Sequence, residues 1–326
     1  MDGSAVRPAT CSFSLIVEWE NAGRIGSARA EAMIAELGRQ LAALPPDLGR
    51  EAEILFIHDG SCGSESAVEA AVRTAPRLPA PWRSIAAPDS SYAGQKWHGA
   101  QLARGGILVF LDSDVVPEAG WLEGLVGPFE RPEVDIVCGA TFVDPVDFYS
   151  ATMALGWLFP LRRPGTGLVE TDWIQANNFA VRRDIFLALP PPVPEGYREG
   201  TVRFFEMLRA RGHVVRLNRA AAVAHPPPEH FALRALWSGY DNALRYRRRR
   251  ALWRGAGVML ADVPRAWVRV AQGRRQVGLG PARAAAAAAL LSLYYLLRLG
   301  GYAAGLAAPG FIARRLRAAD HPRSAA

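Results

Sequence analysis

Residues Ile107–Asp114 read ILVFLDSD, an uninterrupted apolar run that ends in two aspartates separated by one serine. A short apolar run of this kind is typical of a buried strand, so we expect a β-strand over residues 107–111. Two carboxylates at the end of such a strand can hold Mg²⁺ or Mn²⁺, directly or through water, because these hard cations prefer oxygen ligands. The stretch therefore predicts a metal site at Asp112 and Asp114, although a polar strand end that merely begins a turn has the same pattern.

The residues before and after this stretch predict an α/β fold. Strand-like and helical runs alternate as follows: strand 12–17, helix 27–44, strand 53–57, helix 65–73, strand 82–86, a helical turn at 99–103 and, less regularly, strand 135–139, helix 204–211 and strand 214–224. This alternation is typical of a doubly wound sheet with parallel strands. Ligands bind at the carboxyl ends of strands in such sheets. We therefore expect the polar clusters at 18–21, 58–61 and 112–114 to share one site.

The charge of the chain is unevenly distributed. The net charge is +7, but residues 1–233 carry 21 Lys and Arg against 28 Asp and Glu, whereas residues 234–326 carry 17 Arg against three Asp. An acidic N-terminal part is a poor surface for nucleic acid, and we predict no nucleic-acid partner. A basic C-terminal part with apolar stretches predicts contact with a membrane surface.

The cysteines and the N-terminus favour the cytoplasm. Cys11, Cys62 and Cys138 have no CxxC spacing, so neither a disulfide framework nor a zinc site is indicated. The first residues lack a basic segment followed by an apolar run, which would mark a secretory signal. We expect the catalytic part to be cytoplasmic, at the inner face of the cell membrane.

The segment Tyr92–Val126 resembles the central part of family 2 glycosyltransferases of the GT-A fold. That family has a basic residue, Gly-x-x-x-Ala-x-Gly, an apolar strand, DxD, a proline and Gly-Trp-Leu in this order; here these are Lys96, Gly99, Ala103, Gly105, Asp112, Asp114, Pro117 and Gly120–Leu122. The resemblance implies a Rossmann-like, doubly wound mixed sheet. It also implies a metal-assisted, inverting, hexosyltransferase-like enzyme. Such an enzyme moves a sugar from a nucleotide diphosphate sugar to a hydroxyl of a glycan or lipid-linked acceptor.

The resemblance also assigns the donor-binding residues. The family has Pro-x-Tyr-Asn after strand one and Asp-Asp-Gly-Ser after strand two, where this chain has Glu18-Trp-Glu-Asn21 and His58-Asp-Gly-Ser61. By that alignment the nucleotide sugar contacts Glu18, Trp19, Asn21, Asp59, Lys96 and Ser113. This chain differs from the family at Glu18-Trp-Glu, where the family has Pro-x-Tyr, and at His58, where it has Asp. These two differences leave the identity of the nucleotide open. Trp19 either stacks on the base or lies in the core.

Further site residues are implied downstream of residue 170. Trp173–Asp184 resembles the family's acceptor-side segment, in which Asn177 and Asn178 bond to the donor sugar or the acceptor, or else cap a turn. Arg182 and Arg183 in the same segment are structural or near phosphate. His225 corresponds to a histidine that completes the family's metal ligands, although a lone histidine is often structural.

The resemblance also implies a general base. An inverting transfer needs a carboxylate to take the proton of the acceptor hydroxyl. The family places it in a Glu-Asp pair before a helix, and here Glu199 stands without the Asp. Glu199 is the predicted base, with Glu206 in reserve. A carboxylate that only stabilises the helix N-terminus is the alternative.

The C-terminal part is predicted to form a separate extension. We place a catalytic domain at 1–230 and a basic, helical, membrane-associating extension at 231–326, after Pro226–Pro228. Arg245–Arg250 can clamp phosphate, contact a membrane or remain solvated, and aromatic residues around it favour the bilayer interface: Trp237, Tyr240, Tyr246 and Trp253. The apolar stretch 284–312 is interrupted by Arg298, Gly300, Gly301 and Pro309. It is an interfacial helix or hairpin, a core helix or a membrane span.

Two other functions fit parts of the sequence. A non-catalytic sugar-nucleotide-binding or scaffold protein of the same fold is favoured by the missing Asp beside Glu199. A nucleotidyltransferase also uses an α/β sheet with acidic metal ligands, but it usually has a Gly-rich basic loop after strand one. Residues 18–21 are neither Gly-rich nor basic.

Overall fold

The computed structural model describes residues 12–22, 27–49, 51–61, 63–75, 78–88, 90–190 and 199–320. The chain divides into two compact units. The first, the sheet unit, comprises residues 1–141, 163–192 and 204–225; the second, the helical unit, comprises residues 142–162, 193–203 and 226–326. Segment 142–162 therefore belongs with the C-terminal helices, which no sequence pattern indicated, and the domain boundary at residue 230 stays a prediction.

The strands of the described residues form one mixed sheet. They are β1 (Phe13–Glu18), β2 (Ala52–His58), β3 (Trp82–Ala86), β4 (Ile107–Asp112), β5 (Val116–Pro117), β6 (Ile136–Val143), β7 (Leu168–Glu170), β8 (Asn178–Arg182) and β9 (Val215–His225). Their order is β3-β2-β1-β4-β8-β6-β9-β5, and β7 pairs with β9. Strands β3, β2, β1 and β4 are parallel, whereas β8 is antiparallel to β4 and β6 is antiparallel to β8. The predicted fold class is confirmed.

The described helices are α1 (Ser27–Ala43), α2 (Pro46–Gly49), α3 (Ser64–Thr74), α4 (Tyr92–Leu102), α5 (Trp121–Val126), α6 (Phe148–Gly156), α7 (Arg183–Leu187), α8 (Glu199–Ala210), α9 (Phe231–Arg248), α10 (Leu252–Gly273), α11 (Pro281–Ala307) and α12 (Pro309–Asp320). The predicted turn at 99–103 was too short, because α4 begins at Tyr92. Ser91 caps this helix, and its Oγ accepts a hydrogen bond from the Gly94 amide at 3.2 Å.

The central strands are buried on both faces, which explains their continuous apolar sequence. All six residues of β1 and all six of β4 are buried. Side chains alternate between two hydrophobic clusters: Leu15 and Val17 belong to one, and Ile16 belongs to the other. The helices that follow these strands cover both sides of the sheet and hold the strand ends in fixed positions.

Two glycines of the family motif allow close packing against β1. A Cβ at Gly99 would lie 2.6 Å from Cγ2 of Ile16, and a Cβ at Gly105 would collide with the backbone of Phe13 and Ser14. Any larger residue would push α4, or the start of β4, away from β1. The spacing of Gly99 and Gly105 in the sequence therefore has a direct steric cause.

The helical unit packs around α11. Leu291, Tyr294 and Tyr295 of this helix are buried, and the Tyr294 hydroxyl accepts a hydrogen bond from Nε1 of Trp157 at 3.1 Å. Among the described helices, α11 is long and apolar enough to cross a membrane by length and composition, and 39% of its most apolar window is buried inside the protein. It continues unbroken through Arg298, whose guanidinium contacts Asp262 of α10 at 2.7 Å.

Candidate active site at the carboxyl ends of β1, β4 and β9

Three buried carboxylates meet where β1 and β4 end. The register pairs Glu18 with Asp112, and the Ser113 amide donates to the carbonyl oxygen of Glu18 at 3.0 Å. Glu18, Asp112 and Asp114 are 0%, 4% and 5% exposed. Because parallel strands carry their carboxyl ends to one edge, the sheet itself brings these acidic side chains together.

Lys96 and Tyr92 of α4 hold the first aspartate of the DxD pair. The Lys96 Nζ lies 2.5 Å from Oδ1 of Asp112, and the Tyr92 hydroxyl lies 2.9 and 2.8 Å from the two carboxylate oxygens. The Lys96 ammonium also lies 4.5 Å from the centre of the Tyr92 ring, within cation–π range. Both oxygens of Asp112 are therefore engaged by the protein.

The second aspartate faces the end of β9. Oδ2 of Asp114 lies 3.5 Å from Nε2 of His225, and His225 is 5% exposed. A carboxylate and an imidazole are both common ligands of divalent metals. The predicted pairing of Asp114 with His225 thus brings two suitable donor atoms together from residues 111 positions apart in the chain.

Arg29 of α1 ties these two segments to each other, and no sequence pattern indicated it. Its Nε donates to the carbonyl oxygen of Asp114 at 2.5 Å, and its Nη2 donates to the carbonyl oxygen of Ala224 at 2.7 Å. The guanidinium fork joins the DxD loop to the residue before His225. It fixes the backbone positions from which the two donor side chains project.

The electrostatics of the site favour a bound cation. Burial, followed by repulsion from Asp112, raises the pKa of Glu18 well above its ordinary value. The Glu18 carboxylate accepts hydrogen bonds from the Glu20 amide at 2.6 Å and from Nδ2 of Asn21 at 3.0 Å. Lys96 supplies a buried positive charge to Asp112 and Glu18, and the carboxylates gathered at these strand ends suit a divalent cation.

The described residues do not enclose a metal by themselves. No group of three or more His, Cys, Asp and Glu side chains in the described part of the chain is arranged to hold one. Asp114 and His225 supply two donors, so further ligands would have to come from water or from phosphate oxygens of a donor substrate.

The predicted nucleotide residues have different surroundings. Trp19 is 5% exposed and packs edge-on against Phe56, with ring centres 5.6 Å apart, which favours the core alternative over base stacking. Asp59 is more accessible, and its carboxylate accepts from the Ser61 amide at 2.9 Å and from the Ser64 hydroxyl at 3.1 Å. Partial burial alone would raise the pKa of Asp59, but these hydrogen bonds outweigh it and lower the pKa.

The two asparagines of β8 and its preceding turn differ in role. Asn178 is fully bonded inside the protein: its Oδ1 accepts from Nε1 of Trp121 at 2.7 Å, and its Nδ2 donates to two backbone carbonyls. Its predicted contact with a sugar is therefore replaced by a structural role. Asn177 is 3% exposed and accepts from Thr141 Oγ1 at 3.0 Å, but its Nδ2 has no hydrogen-bond partner among the residues that the structure describes.

Gln95 and Ser113 also have unpaired polar atoms. Within the described part of the chain, both amide atoms of Gln95 and the hydroxyl oxygen of Ser113 lack a hydrogen-bond partner, although both residues are 0% exposed. Gln95 directly precedes Lys96, and Ser113 lies between the two aspartates of the DxD pair. Buried polar atoms are rarely left unpaired without a functional reason. The sequence did not single out Gln95.

Two predicted residues remain to be placed, Arg182 and Glu199. Arg182 is structural, because its guanidinium donates to the carbonyl oxygens of Phe129, Arg131 and Val134. Glu199 is the first residue of α8, and its side chain lies outside the described part of the structure. Its assignment as the base stays a prediction.

Residues 28–188 match the family model of glycosyl transferase family 2. The family resemblance found in the sequence is therefore confirmed.

Comparisons with individual proteins agree with the family. A glucosyl-dolichyl phosphate glucuronosyltransferase of Haloferax volcanii is 26% identical over 180 residues, or 46% of this chain and 54% of that protein. This chain thus matches about half the length of that relative. The mannosyltransferase PcManGT of Pyrobaculum calidifontis, in complex with GDP-Man and Mn²⁺, is similar in structure with a TM-score of 0.56, 15% identity and coverage of 90% of this chain and 87% of that one. GalNAc-T7 with UDP, GalNAc and Mn²⁺ has a TM-score of 0.50, 15% identity and coverage of 68% and 44%.

Proposed function

We propose that this protein is a metal-assisted, inverting glycosyltransferase that moves a sugar from a nucleotide diphosphate sugar to a hydroxyl of a glycan or lipid-linked acceptor. One observation carries the proposal. Asp112, Asp114 and His225 meet at the carboxyl end of the sheet, with Lys96 as the buried counter-charge. The match of residues 28–188 to a glycosyltransferase family model supports the same activity.

Asp114 and His225 are the proposed ligands of Mg²⁺ or Mn²⁺. Their donor atoms lie 3.5 Å apart, and Arg29 fixes the backbone on both sides. When bound, the metal supplies positive charge to the diphosphate, whose negative charge increases as the sugar leaves. Asp112 is already engaged by Lys96 and Tyr92, so we assign it an indirect contact through water.

Three unpaired polar groups are the proposed contacts for the donor. The amides of Gln95 and Asn177 and the hydroxyl of Ser113 are buried, and each leaves hydrogen-bonding capacity unused. An unpaired buried polar atom costs about 1–3 kcal/mol, so hydroxyl groups of a bound sugar nucleotide that pair with these atoms are favoured. Glu18, Asn21 and Asp59 remain the proposed residues around the nucleoside.

Glu199 is the proposed general base, with Glu206 in reserve. A carboxylate takes the proton of the acceptor hydroxyl while the hydroxyl oxygen attacks the anomeric carbon from the side opposite the leaving diphosphate. The attack inverts the configuration at that carbon. Glu199 is the first residue of α8.

The acceptor is proposed to be lipid-linked and presented at a membrane. The Haloferax volcanii relative is named as acting with a glucosyl-dolichyl phosphate, and the C-terminal part of this chain is basic and apolar. A cytoplasmic position, at the inner face of the cell membrane, stays part of the proposal.

The test is release of nucleoside diphosphate from a panel of sugar nucleotides with Mn²⁺, measured with the full chain and lipid-linked acceptors. We expect Asp114→Asn to lower kcat/KM at least about a hundredfold, because the metal loses a charged ligand. Chelation with EDTA abolishes turnover, and added Mn²⁺ restores it. The matched control is Glu123→Gln, which removes one exposed carboxylate of α5 and leaves the rate unchanged.

One result would overturn the proposal. If no donor in the panel is turned over and Asp114→Asn binds sugar nucleotides as tightly as the unaltered chain, the protein is a non-catalytic member of the fold. Product anomer analysis by NMR tests inversion separately.

A further inference from the structure

Helix α10 exposes an apolar stripe. Trp253, Leu260 and Trp267 are 91%, 56% and 53% exposed, and their spacing of seven residues places them on one face of the helix. The neighbouring positions on that face are also exposed and carry no charge: Gly257 and Pro264 between them, and Ala271 after Trp267. Large apolar side chains are here turned toward the outside of the helical unit, while Met259, Ala266 and Val270 form its buried side.

Helix α11 exposes a second apolar stripe along most of its length. Leu293 and Leu296 are 50% and 55% exposed. The other exposed positions at helical spacing are small and uncharged: Ala286, Ala289, Gly300, Ala303 and Ala307. A solvent-facing helix normally carries polar residues on this side.

The two stripes lie side by side. Nε1 of Trp267 in α10 donates to Oγ of Ser292 in α11 at 2.9 Å, and Ser292 is followed by the exposed Leu293. We call the combined surface the apolar face, formed by Trp253, Leu260, Trp267, Leu293, Leu296 and the small residues between them. A contiguous exposed apolar surface of this kind marks an interaction site.

The charge of these helices identifies the partner. Residues 252–320 contain ten Arg and two Asp. Asp262 is 8% exposed and is paired with Arg265 at 3.3 Å and with Arg298 at 2.7 Å, so its charge is neutralised inside the unit. The arginines at the margins, such as Arg254 and Arg275, remain exposed. An apolar face with an arginine border is complementary to a bilayer with anionic head groups.

The aromatic residues predicted to meet the membrane are not part of this face. Trp237 and Tyr240 are 4% and 5% exposed and belong to a hydrophobic cluster of α9 and α12. Of the four aromatics near the arginine run, Trp253 alone lies on the apolar face. The membrane contact therefore has to be sought in α10 and α11.

We propose that the apolar face lies on a bilayer containing anionic lipids, with α10 and α11 parallel to its plane. This names the surface behind the membrane contact proposed above. The other side of α11 is covered by protein, where Leu291, Tyr294 and Tyr295 are buried and Arg298 is ion-paired. A span across the bilayer would require α11 to leave these contacts, whereas an in-plane position keeps all of them.

Flotation of the full chain with vesicles tests the proposal without any sugar donor, so its failure is distinct from failure of the transfer reaction. The full chain floats with vesicles of phosphatidylcholine and phosphatidylglycerol, and less with phosphatidylcholine alone.

Trp253→Gln and Trp267→Gln each lower the partition coefficient about tenfold, because each indole leaves the bilayer interface. Trp253 is so exposed that its replacement leaves the fold intact. The matched control is Trp173→Gln in the sheet unit, where Trp173 is 51% exposed; its partition is unchanged.

Three outcomes would overturn the proposal. The first is a chain that does not bind anionic vesicles. The second is Trp253→Gln binding as well as the unaltered chain. The third is a stable dimer in sedimentation that Trp253→Gln dissociates, which would make the face a contact between copies. Extraction of cell membranes with alkaline carbonate gives an independent reading. Release of the protein supports an in-plane position, and retention would indicate that α11 crosses the membrane.

Discussion

Each of the two units contains a buried ion pair, and the surroundings of the two pairs differ. In the sheet unit, Lys96 and Asp112 are 5% and 6% exposed at the side chain and lie among further acidic groups. In the helical unit, Arg298 and Asp262 are 18% and 12% exposed, and Asp262 has a second arginine partner. The first cluster gathers three carboxylates at adjoining strand ends, which suits a bound cation, whereas in the second two arginines pair with a single aspartate. The surroundings of the two ion pairs therefore distinguish a candidate binding site from a structural contact.

Removing the lysine is expected to have the largest effect on stability. In Lys96→Met, Asp112 loses its ion-pair partner and Glu18 loses a nearby positive charge, and breaking a buried pair in this way costs about 3–5 kcal/mol. The free energy of unfolding from urea denaturation measures it. Added Mn²⁺ should recover part of the loss, because it restores positive charge at the same strand ends.

The control for this variant is an exposed pair in the same unit. Arg73 and Glu69 lie 3.4 Å apart on α3 with side chains 69% and 46% exposed. Arg73→Met should change the free energy of unfolding by less than about 1 kcal/mol. Equal losses in the two variants would show that burial does not distinguish the site.

The corresponding change in the helical unit should have a smaller effect. Arg298→Met removes the contact at 2.7 Å, but Asp262 keeps Arg265 at 3.3 Å and is not left as an uncompensated charge. We expect a loss of about 1–3 kcal/mol in the free energy of unfolding, insensitive to Mn²⁺. A loss as large as that of Lys96→Met, or recovery by Mn²⁺, would contradict the distinction between the two clusters.

In the sheet unit, the features that depend on residues close together in the sequence were predictable. The apolar run of β4 and the DxD pair after it are contiguous in sequence, and Lys96 was assigned from the resemblance of Tyr92–Val126 to the family. Arg29 was not predictable, because its two carbonyl partners are 85 and 195 positions away in the chain. The unpaired amide of Gln95 was not predictable either. The sequence pattern of a buried helix face does not show which of its polar side chains form hydrogen bonds.

The helical unit was predictable in kind but not in detail. Composition indicated a basic, apolar, helical extension, and the aromatic residues of α9 suggested its membrane side. Trp237 and Tyr240 instead pack inside the unit. In helices that are apolar on more than one side, periodicity cannot tell which side neighbouring helices cover. The inclusion of 142–162 in this unit also depends on long-range packing that no local pattern carries.

Adjacent glycines of α11 test which side of this helix is covered. A Cβ at Gly301 would collide with the backbone of Leu236 in α9, whereas a Cβ at Gly300 would meet nothing within 4 Å. We expect Gly301→Ala to destabilise the protein by about 1–3 kcal/mol through overpacking. Gly300→Ala should stabilise it by up to about 1 kcal/mol, because alanine is the better helix former. Thermal unfolding of both variants measures the signs, and equal signs would refute the packing of α9 on α11.

The smallest losses of stability are expected at two helix caps, one in each unit. Asp147 caps α6: its carboxylate accepts from the Ser150 amide and hydroxyl, both at 2.7 Å, while Ser91 caps α4 with a neutral hydroxyl. Ala substitution at either position should cost about 1 kcal/mol near pH 7.

The two caps should respond differently to acid. Hydrogen bonds from the Ser150 side chain and backbone lower the pKa of Asp147, so its contribution to stability is present above the pKa of the unfolded chain and is lost as the pH falls through the folded value. The difference in unfolding free energy between Asp147→Ala and the unaltered chain should therefore shrink steadily as the pH falls below about 4, the usual aspartate pKa. The loss in Ser91→Ala should stay constant over the same range. A constant loss at Asp147 would mean that the helical unit, unlike the acidic site of the sheet unit, gains nothing from the charge of its carboxylate.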